Sequence, residues 1–282
     1  PTYLGIDLCT SGLRCLLVTQ DGQCLDSADY NYSVTSIAPG FNEQNPIDWI
    51  NALRTSIGEL KNRNASAIES LHAIGIAGHM HGATLLDKNG KILHPCILWN
   101  DTRSYKQASI LDKKENLREI TGNIVFPGFT APKLLWIQDN KPELFEQVAK
   151  VLLPASYLGY YLTGEFFMDM SDAAGTSWLD VGNRCWSEYA LKASNMRSDQ
   201  MPKLLEGTQV ASSVSKFIAD ELGIPSGVSV VAGAGDNAAA ACGVGITKEG
   251  QGFVSIGTSG VLLTARDTYT PLANSAVHTF CH

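Results

Sequence analysis

Apolar positions alternate with small or polar ones along Tyr3–Leu8 and again along Leu13–Thr19. Thr10-Ser11-Gly12 separates the two runs, and Asp21-Gly22 leads into a third. A two-residue period bounded by turn residues predicts an opening β-meander. Pro46 then starts a helix, because Ile50, Leu53, Ile57 and Leu60 recur at three- and four-residue intervals. Ala73–Ala77 is a further β-like run, with a hairpin expected around Asn89-Gly90. From Arg103 to about Lys150 the pattern is mostly helical, broken at Gly122, Pro127-Gly128 and Pro142. Val151–Leu153 is a short apolar piece that Pro154 ends. Ser213–Leu222 reads as a helix and Val228–Ala232 as a buried strand. Strands alternating with helices predict an α/β fold with a covered sheet.

The pattern echoes itself once. YLGIDLCTSGLRCLLVT at 3–19 and FVSIGTSGVLLTA at 253–265 both read strand, Thr-Ser-Gly, strand. As a repeat, this implies two similar domains whose opening hairpins face each other, the second barely begun at residue 282. The chain is therefore expected to be a piece of a longer protein, divided at 1–250 and 251–282.

Composition narrows the function. A formal net charge of −7 over 282 residues argues against nucleic-acid binding, which needs basic surface. Seven cysteines without a C-x-x-C read as reduced thiols in a cytoplasmic protein. His79-Met80-His81 and the pair His278 and His282 lack the further ligands that a zinc site needs. The longest apolar-looking run, Val228–Ile246, is interrupted by Asp236-Asn237, so no membrane span is expected. Residues 1–20 carry Asp7 and no basic start, which is unlike a secretory leader.

Thr and Ser hydroxyls beside open glycine amides make a pocket for phosphate oxygens, although each turn alone reads first as a tight hairpin. Two such turns suggest a clamp on a polyphosphate. Asp7, just before the first turn, would need charge compensation there, and Mg²⁺ is the usual partner. Arg14, on the outgoing strand, is positioned to pair with Asp7 or with phosphate. In VSVVAGAGDNAAAACGVG (228–245) a strand runs through glycines into a helix begun by Asp236-Asn237. The helix dipole is expected to hold Asp236 ionised, as a carboxylate that accepts a hydroxyl proton during phosphoryl transfer. Gly233, Gly235 and Ala238 also match a dinucleotide fingerprint. Asp236 would then face the pyrophosphate, and the expected ribose-binding acid is missing. Gly78-His79-Met80-His81-Gly82 and Trp99-Asn100-Asp101 follow apolar runs and offer the polar edges and flat faces of a sugar pocket.

The motifs GIDLCTSG, GIAGHMHGA, ILWNDTR, TGN, PGFTAPKLLW, DMSDAAGT, GAGDNAAAACGVG, SIGTSG and SAVHTFCH together resemble the FGGY carbohydrate kinases, in order and along nearly the whole chain. The resemblance implies an actin-like (ribonuclease H-like) ATPase fold, of which this is the N-terminal half of a two-domain sugar kinase. Residues 1–250 would be the sugar-binding domain carrying the catalytic base, and 251–282 the opening hairpin of a nucleotide-binding domain. The implied reaction is ATP-dependent phosphorylation of D-xylulose at its 5-hydroxyl, with ATP and Mg²⁺. Other ketose or polyol kinases (ribulose, gluconate, glycerol) and a non-catalytic sugar-binding module are the alternatives.

By the same resemblance, Asp236 is the catalytic base, and Asp7 is the acid near Mg²⁺, with both carboxylates at the metal. Thr10, Ser11 and Arg14 form the first phosphate loop, and Gly257, Thr258 and Ser259 the second. Met80, His81 and Asn237 contact the sugar, joined by Trp99, Asn100 and Asp101. Cys9 stands where the family's D-x-G-T-S has glycine, and its side chain is expected to narrow the phosphate loop. The partners implied are the ketose and ATP, with no nucleic acid and no membrane, and a homodimer stays open. The chain on its own is expected to lack kinase activity.

Overall fold

The opening meander forms as the alternation predicts. In the computed structural model, which describes residues 1–256 and 260–282, β1 (Thr2–Leu8) pairs antiparallel with β2 (Gly12–Thr19). β2 pairs in turn with β3 (Cys24–Asn31). On its other edge β1 runs parallel to the Leu71–Gly78 strand, which takes Ser229–Val231 as its next parallel neighbour. Val210–Ser213 closes that edge antiparallel, and the short Ala234–Gly235 strand continues along the end of Leu71–Gly78. The result is a mixed seven-stranded sheet.

Period two puts Leu4, Ile6 and Leu8 of β1 and Leu13, Cys15 and Leu17 of β2 in the core. Helix α1 (Pro46–Arg63) packs against β2 and β3, burying Trp49, Ile50, Leu53, Ile57 and Leu60. Each such side chain contributes roughly 1.5–3 kcal/mol of transfer free energy. Asn45 caps the helix by accepting the Ile47 N–H at 3.1 Å, and Pro46 occupies its first turn.

Two elements depart from the pattern. Pro154 ends the strand Lys150–Leu152 but also opens a helix, Pro154–Thr163, where its missing N–H costs nothing. The stretch read as one helix from Ser213 divides. Val210–Ser213 is a strand, and the helix is Lys216–Leu222, capped by the Ser215 hydroxyl. All seven cysteines are free thiols. Among the described residues no helix is long and apolar enough to cross a membrane.

The second hairpin, Gly252–Ile256 with Gly260–Thr264, is a separate two-stranded sheet. Beyond it the chain returns to the main body. The Asn123 side chain accepts the Thr279 N–H at 2.8 Å and donates to its carbonyl at 3.0 Å, and Cys281 is buried beside Val181. Gly257, Thr258 and Ser259 lie outside the described residues.

Candidate active site

Three chain segments leave the same edge of the sheet. Asp7 on β1 and Ala234 both register with Ala77 between them, and Leu8 and Gly235 both register with Gly78. At about 4.8 Å between strands, the flanking backbones stand roughly 10 Å apart. All three strands run parallel, so the first turn, the loop after Gly78 and the helix Asp236–Gly243 converge at their carboxyl ends, where open α/β sheets bind ligands.

The first turn presents its amides outward. Its carbonyls are all engaged. Tyr32 donates its hydroxyl to Cys9 at 2.6 Å and to Gly12 at 2.9 Å, Gln44 donates to Thr10 at 2.5 Å, and the Tyr32 N–H donates to Ser11 at 3.2 Å. Among the described residues no acceptor meets the Thr10 or Ser11 N–H. Held carbonyls with open amides suit an anion. The Cys9 thiol lies beside the loop, donating to Asp7 Oδ2 at 3.2 Å. Burial, then that bond and the charges of Asp7 and Asp236, push its pKa up to about 12, so the sulfur remains a protonated donor.

Asp236 is the first helical residue, and Gly235 is the cap. Its Oδ1 accepts the Asn237 N–H at 2.7 Å and the Asn237 amide at 3.1 Å. The expected pull of the helix end toward the ionised form is opposed by the surroundings of this carboxylate. Burial, reinforced by Asp7, raises its pKa above the ordinary carboxylate value despite the Asn237 bonds. A raised pKa makes it the better proton acceptor once ionised. The approach to Asp236 needs glycine at 233, where φ is +85° and a Cβ would collide with the Ile76 carbonyl.

Met80 packs over this turn: a Cβ on Gly235 would lie 2.8 Å from Met80 Cγ. His81 has φ of +70°, a left-handed conformation costing about 1–2 kcal/mol for a non-glycine residue. Its ring stacks on Phe129 with centroids 4.6 Å apart, and its Nδ1 lies 2.7 Å from the Gly175 carbonyl. A carbonyl only accepts, so Nδ1 carries the proton and Nε2 keeps a lone pair. Burial lowers the His81 pKa to about 3, which keeps the ring neutral.

Other expected site residues are placed differently. Asp101 is fully buried and bound to Arg103 (Nη2–Oδ2 2.7 Å), and it accepts the Asn42 N–H at 2.6 Å. It is a loop clamp, because a carboxylate so satisfied has nothing left for a sugar. Asn100 is exposed, and its carbonyl accepts from the Asn42 side chain. Trp99 is half exposed, and its indole donates to Thr10 Oγ1 at 2.9 Å, which links it to the phosphate turn. Arg14 pairs with neither Asp7 nor the turn. It meets Asp29, its register partner on β3, at 2.5 Å in an exposed cross-strand pair. Gly257, Thr258 and Ser259 are not among the described residues.

One group was not anticipated. The helix Met170–Ala174 starts at Asp169, which caps it by accepting the Ser171 and Asp172 N–H groups at 2.8 and 3.0 Å. The Ser171 hydroxyl donates to Asp169 and accepts the Gly235 N–H at 2.9 Å, so this helix supports the turn before Asp236. Asp172 is fully buried, and among the described residues neither of its oxygens has a partner. Its Oδ1 would lie 3.2 Å from a Cβ on Gly235. Burial, then Asp169 and Asp236, holds its pKa well above the ordinary range, which favours the protonated form, and burial raises that of Asp169 to about 6. An Asp with Ser and Asp two and three residues further on was the available cap signal.

Asp7 and Asp236, close enough that Asp7 adds to the burial that raises the Asp236 pKa, form a donor set that suits magnesium, which takes one or two carboxylates plus substrate phosphates. Among the described residues no group of three or more His, Cys, Asp or Glu assembles a metal site.

The N-terminal domain model of the FGGY family of carbohydrate kinases matches residues 2–243. A xylulose kinase from Escherichia coli (strain K12) is 44% identical over 99% of this chain, which covers 57% of that relative. One from Klebsiella pneumoniae is also 44% identical, over 99% of this chain and 58% of its own length. A solved structure described as a xyloylose kinase from Brucella ovis superposes with a TM-score of 0.98 at 49% identity, covering 100% of this chain and 58% of that one. The chain thus spans a little over half the length of these relatives.

Proposed function

This chain belongs to the FGGY family of carbohydrate kinases, with the actin-like fold of sugar kinases, and from that premise we propose that the full-length protein transfers the γ-phosphoryl group of ATP to the 5-hydroxyl of D-xylulose. The observation that carries the proposal is the half-buried Asp236 carboxylate, with its pKa raised, at the same sheet edge as Asp7 and the open-amide turn.

Asp236 accepts the proton of the attacking hydroxyl as the oxygen bonds to phosphorus and the bridging oxygen leaves with ADP. Asn237 donates two bonds to one Asp236 oxygen, so the carboxylate is aimed before substrate arrives. The Thr10 and Ser11 amides bind phosphate oxygens. Met80 gives the sugar an apolar wall, and neutral His81 accepts a sugar hydroxyl at Nε2. Asp7 and Asp236 would hold Mg²⁺, which when bound offsets negative charge on the phosphoryl oxygens. The cytoplasm fits a protein with seven free thiols that consumes ATP.

A coupled ADP-release assay of the full-length protein across D-xylulose, D-ribulose, gluconate and glycerol tests the reading. The expected result is a kcat/KM for D-xylulose at least about tenfold above the others. Sugar-independent nucleotide hydrolysis, or preference for a polyol, would overturn it.

A further inference from the structure

A buried lysine stands behind the strained histidine. Lys133 is fully buried on the helix Thr130–Asn140, and its Nζ donates to the carbonyls of His81 at 2.9 Å and Gly128 at 2.7 Å. Thr130, one turn earlier on the same face and also fully buried, donates its hydroxyl to the same His81 carbonyl at 3.1 Å. Two side chains from a segment some fifty residues away thus converge on one backbone oxygen. That oxygen belongs to the residue whose φ is +70°.

We propose that Lys133 and Thr130 are positioning residues for sugar recognition: they clamp the His81 carbonyl, hold its left-handed backbone, and so aim Nε2 at a substrate hydroxyl. The inference rests on the reading of His81 as a sugar contact. A non-glycine residue stays left-handed only where its surroundings over-determine it, and such strain collects at ligand clamps. Three fixings meet here: the carbonyl is held by Lys133 and Thr130, the ring face by Phe129, and Nδ1 by the Gly175 carbonyl.

The choice of lysine argues for a role beyond packing. Among the described residues no carboxylate lies within ion-pair distance of its amine, and burying an amine is costly when an apolar side chain would fill the space. Burial lowers its pKa to about 7, and even the neutral amine has two N–H donors for its two carbonyls. Its positive form also disfavours a proton on His81, which keeps Nε2 an acceptor.

The test uses the full-length protein with Lys133→Met, Thr130→Val and Thr130→Ser, reading KM for D-xylulose, KM for ATP, kcat and thermal midpoint. Lys133→Met should raise the ketose KM about tenfold or more and Thr130→Val about threefold, with the ATP KM within about twofold. Thr130→Ser, which keeps the hydroxyl, should stay near wild type. An unchanged ketose KM, or equal rises for sugar and ATP, overturns the clamp. If Lys133→Met does not fold, Thr130→Val against Thr130→Ser decides. Imidazole ¹⁵N spectra give an activity-free readout: His81 should be a single Nδ1–H tautomer in wild type and mixed in Thr130→Val. An unchanged spectrum contradicts the clamp. A wild type that phosphorylates no ketose defeats the functional reading alone, since the spectrum still decides the clamp.

Discussion

The two strand–turn–strand units carry nearly the same sequence pattern and meet opposite fates. In the first, β1 buries Leu4, Ile6 and Leu8 between β2 and the Leu71–Gly78 strand, under α1. In the second, Gly252–Ile256 pairs only with Gly260–Thr264 among the described residues, leaving Val254 64%, Ile256 86% and Leu262 74% exposed. Both are antiparallel hairpins, so local alternation decides the strand. Burial is decided by what the rest of the chain lays against it. The difference extends to chemistry. The first unit carries Asp7, at the strand ends from which the Asp236 turn also leaves, whereas the strands of the second carry no ionisable residue.

The widest separation between the two units is expected in stability. Ile6→Ala, deleting a fully buried side chain, should cost about 2–5 kcal/mol in urea unfolding. A cost below about 1 kcal/mol would mean that the sheet is looser than described.

The acidic edge gives a smaller, pH-dependent contrast. The folded protein holds the Asp172 proton more tightly than the unfolded chain does. Its contribution is therefore intact below the ordinary carboxylate pKa of about 4 and is lost as pH rises through the raised folded value. Asp172→Asn is permanently neutral and should gain about 1 kcal/mol or more over wild type at pH 8, and close to nothing near pH 4. Urea midpoints at the two pH values check the sign, and a pH-independent difference would break it.

The smallest effect belongs to the second hairpin. Ile256→Ser should change this chain's stability by no more than about 0.5 kcal/mol, because the side chain is already in water. A larger loss would show that the hairpin is covered in solution.

The meander, α1 and the Leu71–Gly78 strand were legible because period, proline and cap residues agree within each segment. Asp236 was legible as a candidate because a strand running through glycines into a helix marks the turn that carries it. What was not legible depends on partners distant in sequence. Trp99-Asn100-Asp101 reads as a ligand set, yet Asp101 is consumed by Arg103 and by the Asn42 backbone 59 residues away. Arg14 faces both Asp7 and Asp29 in register, and only the side-chain geometry selects Asp29. The rise in the Asp236 pKa was not legible, because its first cause is burial by segments distant in sequence. Lys133 looks like an ordinary helical surface lysine until Thr130–Asn140 is packed against the His81 loop.

The central claim concerns one carboxylate, and Asp236→Asn in the full-length protein tests it most directly, because the amide keeps the shape and loses the basicity. With D-xylulose and ATP-Mg, kcat should fall by about 10²–10⁴-fold while the ketose KM and the thermal midpoint stay close to wild type. A variant retaining kcat within about threefold of wild type would contradict the assignment of Asp236 as the base.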